Sequence, residues 1–244
     1  MRAIFDQLVE DDLIAKNPAR SKKTGVRMPK TKKVDERFLD LPACHALLKA
    51  ANAKRDRLLL RVLNACGLRP SEIFALQVRD VLEHKLRIDE AVVMGKVGET
   101  KTAESNGVVP IAASLEVELR AFILECGFTD PGQYLFPSEA GTPYDPKNYL
   151  NRKLKPLGVA AGILVYERTT KKGKKIKTSG LNFQILRRTC ATHFQKHGEI
   201  KDTQTLLRHT SPTITLKHYQ KTLDESLVEA VESWDRALTN TKIQ

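Results

Sequence analysis

Apolar residues recur at helical spacing along most of the chain. Residues 3–16 carry one apolar stripe, which predicts an amphipathic helix at the start of the chain. Asp40 is placed to cap the next helix, and Gly67 is placed to end the one after it. Ser114 and Gly127 bracket a later helix in the same way. Helices are predicted over residues 40–51, 55–66, 70–81, 115–126, 146–157, 182–197, 202–207, 213–219 and 224–238.

The pattern changes between Lys85 and Ile111. The segments KLRID, AVVMG and NGVVPI are short and rich in β-branched residues, and glycines interrupt them. Such segments are typical of short antiparallel strands. The sequence therefore predicts a fold that is mainly α with a small antiparallel β-sheet, an α+β architecture.

Charge indicates the kind of partner. The 244 residues carry a formal net charge of +12, which favours a polyanionic partner, either nucleic acid or an acidic membrane surface. No apolar run approaches the roughly 18 residues that span a bilayer, and the first residues are amphipathic and partly acidic, unlike a signal peptide. Nucleic acid is therefore favoured over a membrane, and a cytoplasmic location is expected.

Two basic segments are candidates for contact with a phosphate backbone. The segment RTTKKGKKIK holds a basic residue at six of its ten positions and no acid. It is predicted to be a solvated hairpin whose affinity for nucleic acid falls with salt. The segment of residues 17–37 is rich in Pro and Lys and is interpreted as an extended linker. The candidate DNA-binding residues are Arg168, Lys171, Lys172, Lys174, Lys175, Lys177, Lys30, Lys32 and Lys33.

Metal and disulfide chemistry are not expected. Cysteines lie far apart with no CxxC pair, and they are interpreted as small core residues in a reducing compartment. His193 and His197 are four residues apart, but Phe194 stands where a zinc protease motif would have Glu. No cofactor is predicted.

Several polar residues lie where they could bind an anion. Arg69 falls at a predicted helix N-terminus, where free backbone N–H groups attract anions. Glu72 could hold its guanidinium, although taken by themselves Arg69 and Glu72 favour a purely structural pair. Arg187 is predicted at the edge of the core, with Arg188 pointing elsewhere. A buried arginine is costly unless it has a partner or meets a ligand.

Four segments together resemble the tyrosine recombinase (phage integrase) family. NACGLRPSEIFAL, LRRTCATHF and LLRHTSPTITLKHYQKT resemble its three signature segments in order and spacing, and TKTAESNGVVPI resembles its lysine-bearing hairpin. The likeness covers about residues 35–235. It implies a catalytic domain over residues 35–244. The helix and linker of residues 1–34 resemble the end of that family's N-terminal core-binding domain, most of which is absent.

The resemblance implies a site-specific DNA recombinase, an integrase of a mobile element, that needs neither metal nor ATP. Tyr219 would attack a phosphodiester and leave a 3′-phosphotyrosine. Arg69 and Arg187 would clamp the non-bridging oxygens, and His209 would donate a hydrogen bond to the phosphate. Lys101 would be the acid that protonates the leaving 5′-oxygen, and Lys96 is the rival candidate for that role. Glu72 would orient neighbouring catalytic groups. Gln184 also belongs to the implied site, at a position where the family usually has His.

The implied partners are double-stranded DNA and further protomers in a DNA-bound tetramer, with possible accessory DNA-bending or directionality proteins. The apolar face around Trp234 would suit docking of the last helix onto a neighbour, or packing onto its own domain. Two other functions stay open at this point. One is a nicking-closing enzyme like type IB topoisomerases, and the other is a DNA-binding relative whose catalysis is weakened by Gln184.

Overall fold

The computed structural model describes residues 2–19, 37–93, 96–99, 107–170 and 173–208. The chain divides into two compact units, Met1–Asp35 and Glu36–Gln244. The helices predicted over 213–219 and 224–238 lie outside the described residues. So do the following candidate site residues: Lys101, His209, Tyr219, Lys171, Lys172, Lys30, Lys32 and Lys33.

Helix α1 (Arg2–Glu10) lies in the first unit and is shorter than the predicted 3–16. It ends because Asp12 adopts a left-handed conformation with φ 53°. The backbone N–H of Leu13 then donates to the carbonyl of Leu8 (2.9 Å), and that of Asp12 donates to the carbonyl of Val9 (3.2 Å). This pair of bonds is the Schellman arrangement that closes helix C-termini.

The second unit begins with helices α2 (Leu41–Ala50) and α3 (Lys54–Cys66), both close to the predicted bounds. Asp40 caps α2, since its side chain accepts from the N–H of Ala43 at 2.8 Å. Gly67 ends α3 with φ 58°, a conformation that favours glycine.

Helix α4 (Pro70–Ile73) is a single turn, so the prediction of a helix over 70–81 is wrong. The backbone after it pairs with a distant segment instead: Leu135 N–H donates to the Leu76 carbonyl at 2.7 Å, and Val78 N–H donates to the Gln133 carbonyl at 2.9 Å. A short 3₁₀ turn follows at Val78–Asp80. Long-range pairing thus replaced the local helical bonds that the sequence favours.

The predicted β region forms two small antiparallel sheets. Strands β1 (Val81–Leu82), β2 (Lys85–Ile88) and β5 (Gly107–Pro110) form one sheet in the order β1-β2-β5. Strands β3 (Glu90–Val93) and β4 (Lys96–Glu99) form a separate two-stranded sheet. Strand β4 was not predicted.

Helix α5 (Ala113–Glu125) has Ala112 at its N-cap, so the prediction of Ser114 as the cap is wrong. The Ser114 hydroxyl instead accepts from Arg61 Nη2 at 3.1 Å. Gly127 follows the helix with φ 65°, in agreement with its predicted role as a stop.

The next helical stretch is α6 (Pro146–Tyr149), a π-helical segment (Leu150–Leu154) and α7 (Lys155–Ala160). The π-helical bond runs from Lys155 N–H to the Leu150 carbonyl, five residues back. Pro156 follows directly and has no N–H to continue a regular ladder, which accounts for the irregularity at this point.

Strands β6 (Val165–Thr169) and β7 (Lys175–Ser179) form the predicted basic hairpin, with Gly173 at φ 76° in its turn. Two helices close the described chain, α8 (Phe183–Phe194) and α9 (Ile200–Leu207).

The core of the second unit forms around α3 and α8. Leu59, Leu60 and Leu63 of α3 and Leu186 of α8 are almost fully buried. Cys44, Cys66 and Cys190 are buried as predicted, whereas Cys126 is exposed and is not a core residue. All four cysteines are free thiols. The predicted α+β architecture, mainly helical with small antiparallel sheets, is confirmed.

Candidate active site

Arg69 and Glu72 are joined at the start of α4. The Glu72 carboxylate accepts from the backbone N–H of Arg69 at 2.7 Å and from Arg69 Nη1 at 2.9 Å. Glu72 therefore satisfies a backbone donor that a helix N-terminus leaves open. Its side chain is 2% exposed, while that of Arg69 is 38% exposed. Arg69 is thus anchored to a buried carboxylate and still reaches solvent.

Arg208 is a second cation on the same carboxylate, and sequence reasoning missed it. Arg208 Nη2 lies 2.5 Å from Glu72 Oε2, and the Arg208 side chain is 5% exposed. The residue follows α9 in a left-handed conformation with φ 51° and ψ 55°. One sequence signal was available: Arg208 stands at the end of a predicted helix, directly before His209.

The charge state of Glu72 follows from its neighbours. Burial opposes ionisation, but the positive charge of Arg208, followed by the hydrogen bonds and charge of Arg69, outweighs it and lowers the pKa of Glu72. Glu72 is consequently an ionised carboxylate at neutral pH. The result is an Arg–Glu–Arg cluster, made of Arg69, Glu72 and Arg208, in which Glu72 and Arg208 are buried and Arg69 reaches solvent.

Arg187 fixes the backbone beside both other arginines. Its Nη2 donates to the Leu207 carbonyl at 2.5 Å, and its Nη1 donates to the Gly67 carbonyl. Leu207 immediately precedes Arg208, and Gly67 lies two residues before Arg69. Arg187 is 3% exposed, so it is more deeply buried than the predicted position at the edge of the core.

Close packing holds this junction together. A Cβ atom added at Gly67 would lie 2.7 Å from Leu207 Cδ2 and 3.2 Å from Cys190 Sγ. The end of α3 therefore lies closer to α8 and α9 than a residue with a side chain at position 67 would allow. The expectation that Arg188 points away from the core is wrong, because Arg188 is only 5% exposed.

Gln184 lies in the first turn of α8, three residues before Arg187. Residues three apart share one side of a helix. Gln184 is exposed, in contrast to the buried Arg187. Its amide can donate to an oxygen but cannot exchange a proton near neutral pH.

The roles of three predicted site residues rest on the sequence alone, because these residues lie outside the described ranges. His209 comes directly after Arg208, and Tyr219 lies ten residues further on. Lys101 lies between β4 and β5, two residues after β4 ends. Its rival, Lys96, lies in β4 opposite Val93. Whether Lys101, His209 and Tyr219 meet the arginines stays a prediction.

The hairpin of β6 and β7 carries the described part of the predicted DNA-binding set. Arg168, Lys174, Lys175 and Lys177 are all exposed. An open groove separates this hairpin from the preceding helix, and its lining includes Arg168, Lys177 and also Lys155 of α7. Lys155 is a further basic residue of this surface, and sequence reasoning did not include it.

His193 makes contacts with the segment that precedes α2. Its Nε2 lies 2.8 Å from the Leu39 carbonyl, and its ring packs edge-on against Phe38. Within the described ranges, no group of three or more His, Cys, Asp or Glu side chains could hold a metal ion. In the same part of the chain, no helix has the length and apolar character needed to cross a membrane.

Comparison with known proteins places this chain in a family. A statistical model of the phage integrase family matches residues 37–226. A tyrosine recombinase of Pseudothermotoga lettingae is 29% identical over 233 residues, covering 95% of this chain and 71% of the relative. The tyrosine recombinase XerD of Pseudomonas putida is 29% identical over 226 residues, covering 88% of this chain and 66% of the relative.

Solved structures agree at the level of the fold. The Tn1549 transposon integrase in complex with transposon right end DNA has a TM-score of 0.71 at 18% identity, covering 96% of this chain and 76% of that one. The XerA recombinase has a TM-score of 0.61 at 22% identity, covering 84% of this chain and 66% of that one.

The family model spans most of the chain, so the chain belongs to the phage integrase family. The resemblance drawn from the four sequence segments is thereby confirmed. The chain spans about two thirds of the length of the curated relatives it matches.

Proposed function

We propose that the second unit is the catalytic domain of a site-specific DNA recombinase that cuts and rejoins DNA through a 3′-phosphotyrosine. The observation that carries the proposal is the junction of Arg187 with the Arg–Glu–Arg cluster. It gathers guanidinium groups from the start of α4, from α8 and from the end of α9. Guanidinium groups are well suited to phosphate because their N–H donors match its oxygens.

The proposed chemistry is phosphoryl transfer by fixed charges. Negative charge spreads over the non-bridging oxygens in the transition state, and donors held in place stabilise it without reorganising. Arg69 and Arg187 would supply those donors. Glu72 would act as the positioning residue, since its carboxylate fixes the Arg69 guanidinium at 2.9 Å.

The covalent steps are assigned to the sequence-predicted residues. The Tyr219 hydroxyl would release its proton to solvent as its oxygen bonds to phosphorus and the bond to the 5′-oxygen breaks, with Lys101 giving that leaving oxygen a proton. His209 would donate to a phosphate oxygen, and Gln184 would help position it. The bond energy is kept in the phosphotyrosine, so rejoining needs no nucleotide hydrolysis.

DNA and further copies of the chain are the proposed partners. The structural relatives include the Tn1549 integrase in complex with transposon DNA and a lambda integrase tetramer bound to a Holliday junction. The exposed cations of the β6–β7 hairpin support a DNA-facing surface. For the domains, we propose that residues 1–34 end a core-binding domain and that residues 35–244 form the catalytic domain.

The test is covalent capture. The protein is incubated with a library of randomised duplexes that carry a nick, so that the short fragment with the 5′-hydroxyl diffuses away after cleavage. We expect a denaturant-resistant adduct, with DNA on the peptide that contains Tyr219 in mass spectrometry. Sequencing the attached DNA would then identify the target site.

Tyr219→Phe should form no adduct and still shift the captured duplex in a gel. Tyr134→Phe is the matched control, because Tyr134 lies outside the proposed site, and it should form the adduct normally. An adduct from Tyr219→Phe would show that another residue is the nucleophile. No adduct from the unsubstituted chain across the library would overturn the proposed function.

A further inference from the structure

The guanidinium of Arg208 is buried, and most of its donors are unused by the described residues. Glu72 accepts from Nη2. Nε and Nη1 have no hydrogen-bond partner within the part of the chain that the structure describes, although the side chain is only 5% exposed. Buried polar groups of proteins nearly always have a partner, and a guanidinium can only donate. Two buried donors are therefore available to an acceptor.

Charge at this point also favours an anion. Arg69 and Arg208 share the single carboxylate of Glu72, so two positive charges meet one negative charge. A buried charge without compensation is costly. A bound anion would supply the missing negative charge and the missing acceptor together.

The position of Arg208 connects three segments of the candidate site. Its side chain reaches Glu72 in α4, and its backbone follows Leu207, whose carbonyl accepts from Arg187. A Cβ atom added at Gly107, the first residue of β5, would lie 3.5 Å from Arg208 Cδ. Arg208 thus lies between the two other arginines and the strand that follows the segment containing Lys101.

The backbone of Arg208 is unusual for a residue with a side chain. Its left-handed φ of 51° at a helix end is the conformation that glycine adopts most readily. Sparsely populated backbone conformations persist where the surrounding structure holds them, and they cluster at functional sites. Here the ion pair with Glu72 is the contact that holds the side chain in place.

We propose that Arg208 is a further phosphate ligand: one of its two unused donors, Nε–H or Nη1–H, donates to a non-bridging oxygen of the scissile phosphate while Glu72 anchors Nη2. The inference rests on the proposed function. It assigns to this chain a third guanidinium at the reacting phosphate, in a site where the neutral Gln184 replaces the family's usual His.

The test compares Arg208→Gly, Arg208→Lys and Arg120→Ala. Glycine suits the left-handed backbone, which offsets part of the stability lost with the Glu72 ion pair, so Arg208→Gly should still fold but with a lower melting temperature. Lysine keeps the charge but loses the Nε donor. Arg120 is exposed on α5 and pairs with the largely buried Glu116 at 2.7 Å, and its replacement controls for the loss of an Arg–Glu pair elsewhere.

Single-turnover cleavage is measured on the captured duplex, with a phosphate or with either methylphosphonate diastereomer at the scissile position. Losing one fixed donor to a transition-state oxygen costs about 10²–10³-fold in rate, which is the loss expected for Arg208→Gly on the phosphate. The loss should be much smaller on the diastereomer that lacks the contacted oxygen. Arg208→Lys should fall in between, and Arg120→Ala should cleave normally.

Equal losses on all three substrates would show that Arg208 acts only through the fold and would overturn the inference. A normal rate for Arg208→Gly would overturn it as well, while leaving the Tyr219 adduct and the proposed function intact. Anion binding is also measured without cleavage, as the rise in melting temperature with added inorganic phosphate. That rise should be smaller for Arg208→Gly than for Arg120→Ala, and an equal rise would count against the inference.

Discussion

The Arg–Glu–Arg cluster and the β6–β7 hairpin are both rich in positive charge, but they hold it differently. Arg208 is 5% exposed and Glu72 is 2% exposed, and the two are locked together at 2.5 Å. The hairpin residues Arg168 and Lys175 are exposed on a two-stranded ribbon. A charge fixed in a dry site can favour one transition state, whereas solvated charges attract a polyanion without fixing its position. The first arrangement suits catalysis and the second suits affinity.

The largest effect is expected from Arg187→Ala. Cleavage should fall by about 10³-fold or more, because a guanidinium donor to the phosphate is lost. The free energy of unfolding should also fall by about 2–4 kcal/mol, since the buried carbonyls of Gly67 and Leu207 lose their donor. Single-turnover kinetics and urea unfolding measure the two effects. Full stability in Arg187→Ala would show that these two bonds contribute little to the fold.

The elements that sequence predicted well are those whose ends are set locally. The bounds of α2 and α3 followed from Asp40 as a cap and Gly67 as a stop, and both residues act through their immediate neighbours. Helix α4 was predicted too long because residues 76–78 pair with residues 133–135, a contact that no local pattern encodes.

The candidate site shows the same difference between local contacts, which could be predicted, and long-range contacts, which could not. Arg69 and Glu72 are three residues apart, so their pairing could be predicted from spacing. Arg208 and Glu72 are 136 positions apart, and their ion pair exists only because the tertiary fold brings the end of α9 next to the start of α4. Motifs of the family identified Arg187, but its bonds to two helix ends depend on tertiary packing.

Glu72→Gln should have the next largest effect, and the effect should depend on pH. At neutral pH it should lower the free energy of unfolding by about 2 kcal/mol, because hydrogen bonds from charged groups are weakened and Arg208 loses its counter-charge. The pKa of Glu72 is lower in the folded chain than its ordinary value. Its stabilisation is therefore present above the ordinary pKa of Glu and is lost as pH falls through the folded pKa.

The measurement is urea unfolding of both chains across the acidic range. The unsubstituted chain should lose its advantage over Glu72→Gln as the pH falls. A difference that stays constant throughout would mean that the Glu72 charge does not contribute to stability.

Replacing the hairpin cations should lower the affinity for DNA more than it changes the rate of cleavage. In the triple variant Lys174→Gln, Lys175→Gln and Lys177→Gln, each lysine that contacts a phosphate should reduce the slope of log affinity against log salt by about 1. The fold should be unaffected, because these side chains are exposed. Gel-shift titration at several salt concentrations gives the slope. An unchanged slope would remove the hairpin from the proposed DNA interface.

The smallest effect is expected from Glu167→Gln, which makes on the hairpin the same chemical change as Glu72→Gln makes in the cluster. Glu167 is exposed and lies opposite Lys177 across the two strands. Exposed pairs of this kind contribute about 0–1 kcal/mol, so the free energy of unfolding should change by less than about 0.5 kcal/mol. Affinity for DNA should rise slightly, because a negative charge is removed beside the phosphate backbone. The two variants are compared by urea unfolding and gel shift under identical conditions. A loss of stability as large as that of Glu72→Gln would mean that burial does not distinguish the two carboxylates, and the contrast between cluster and hairpin would fail.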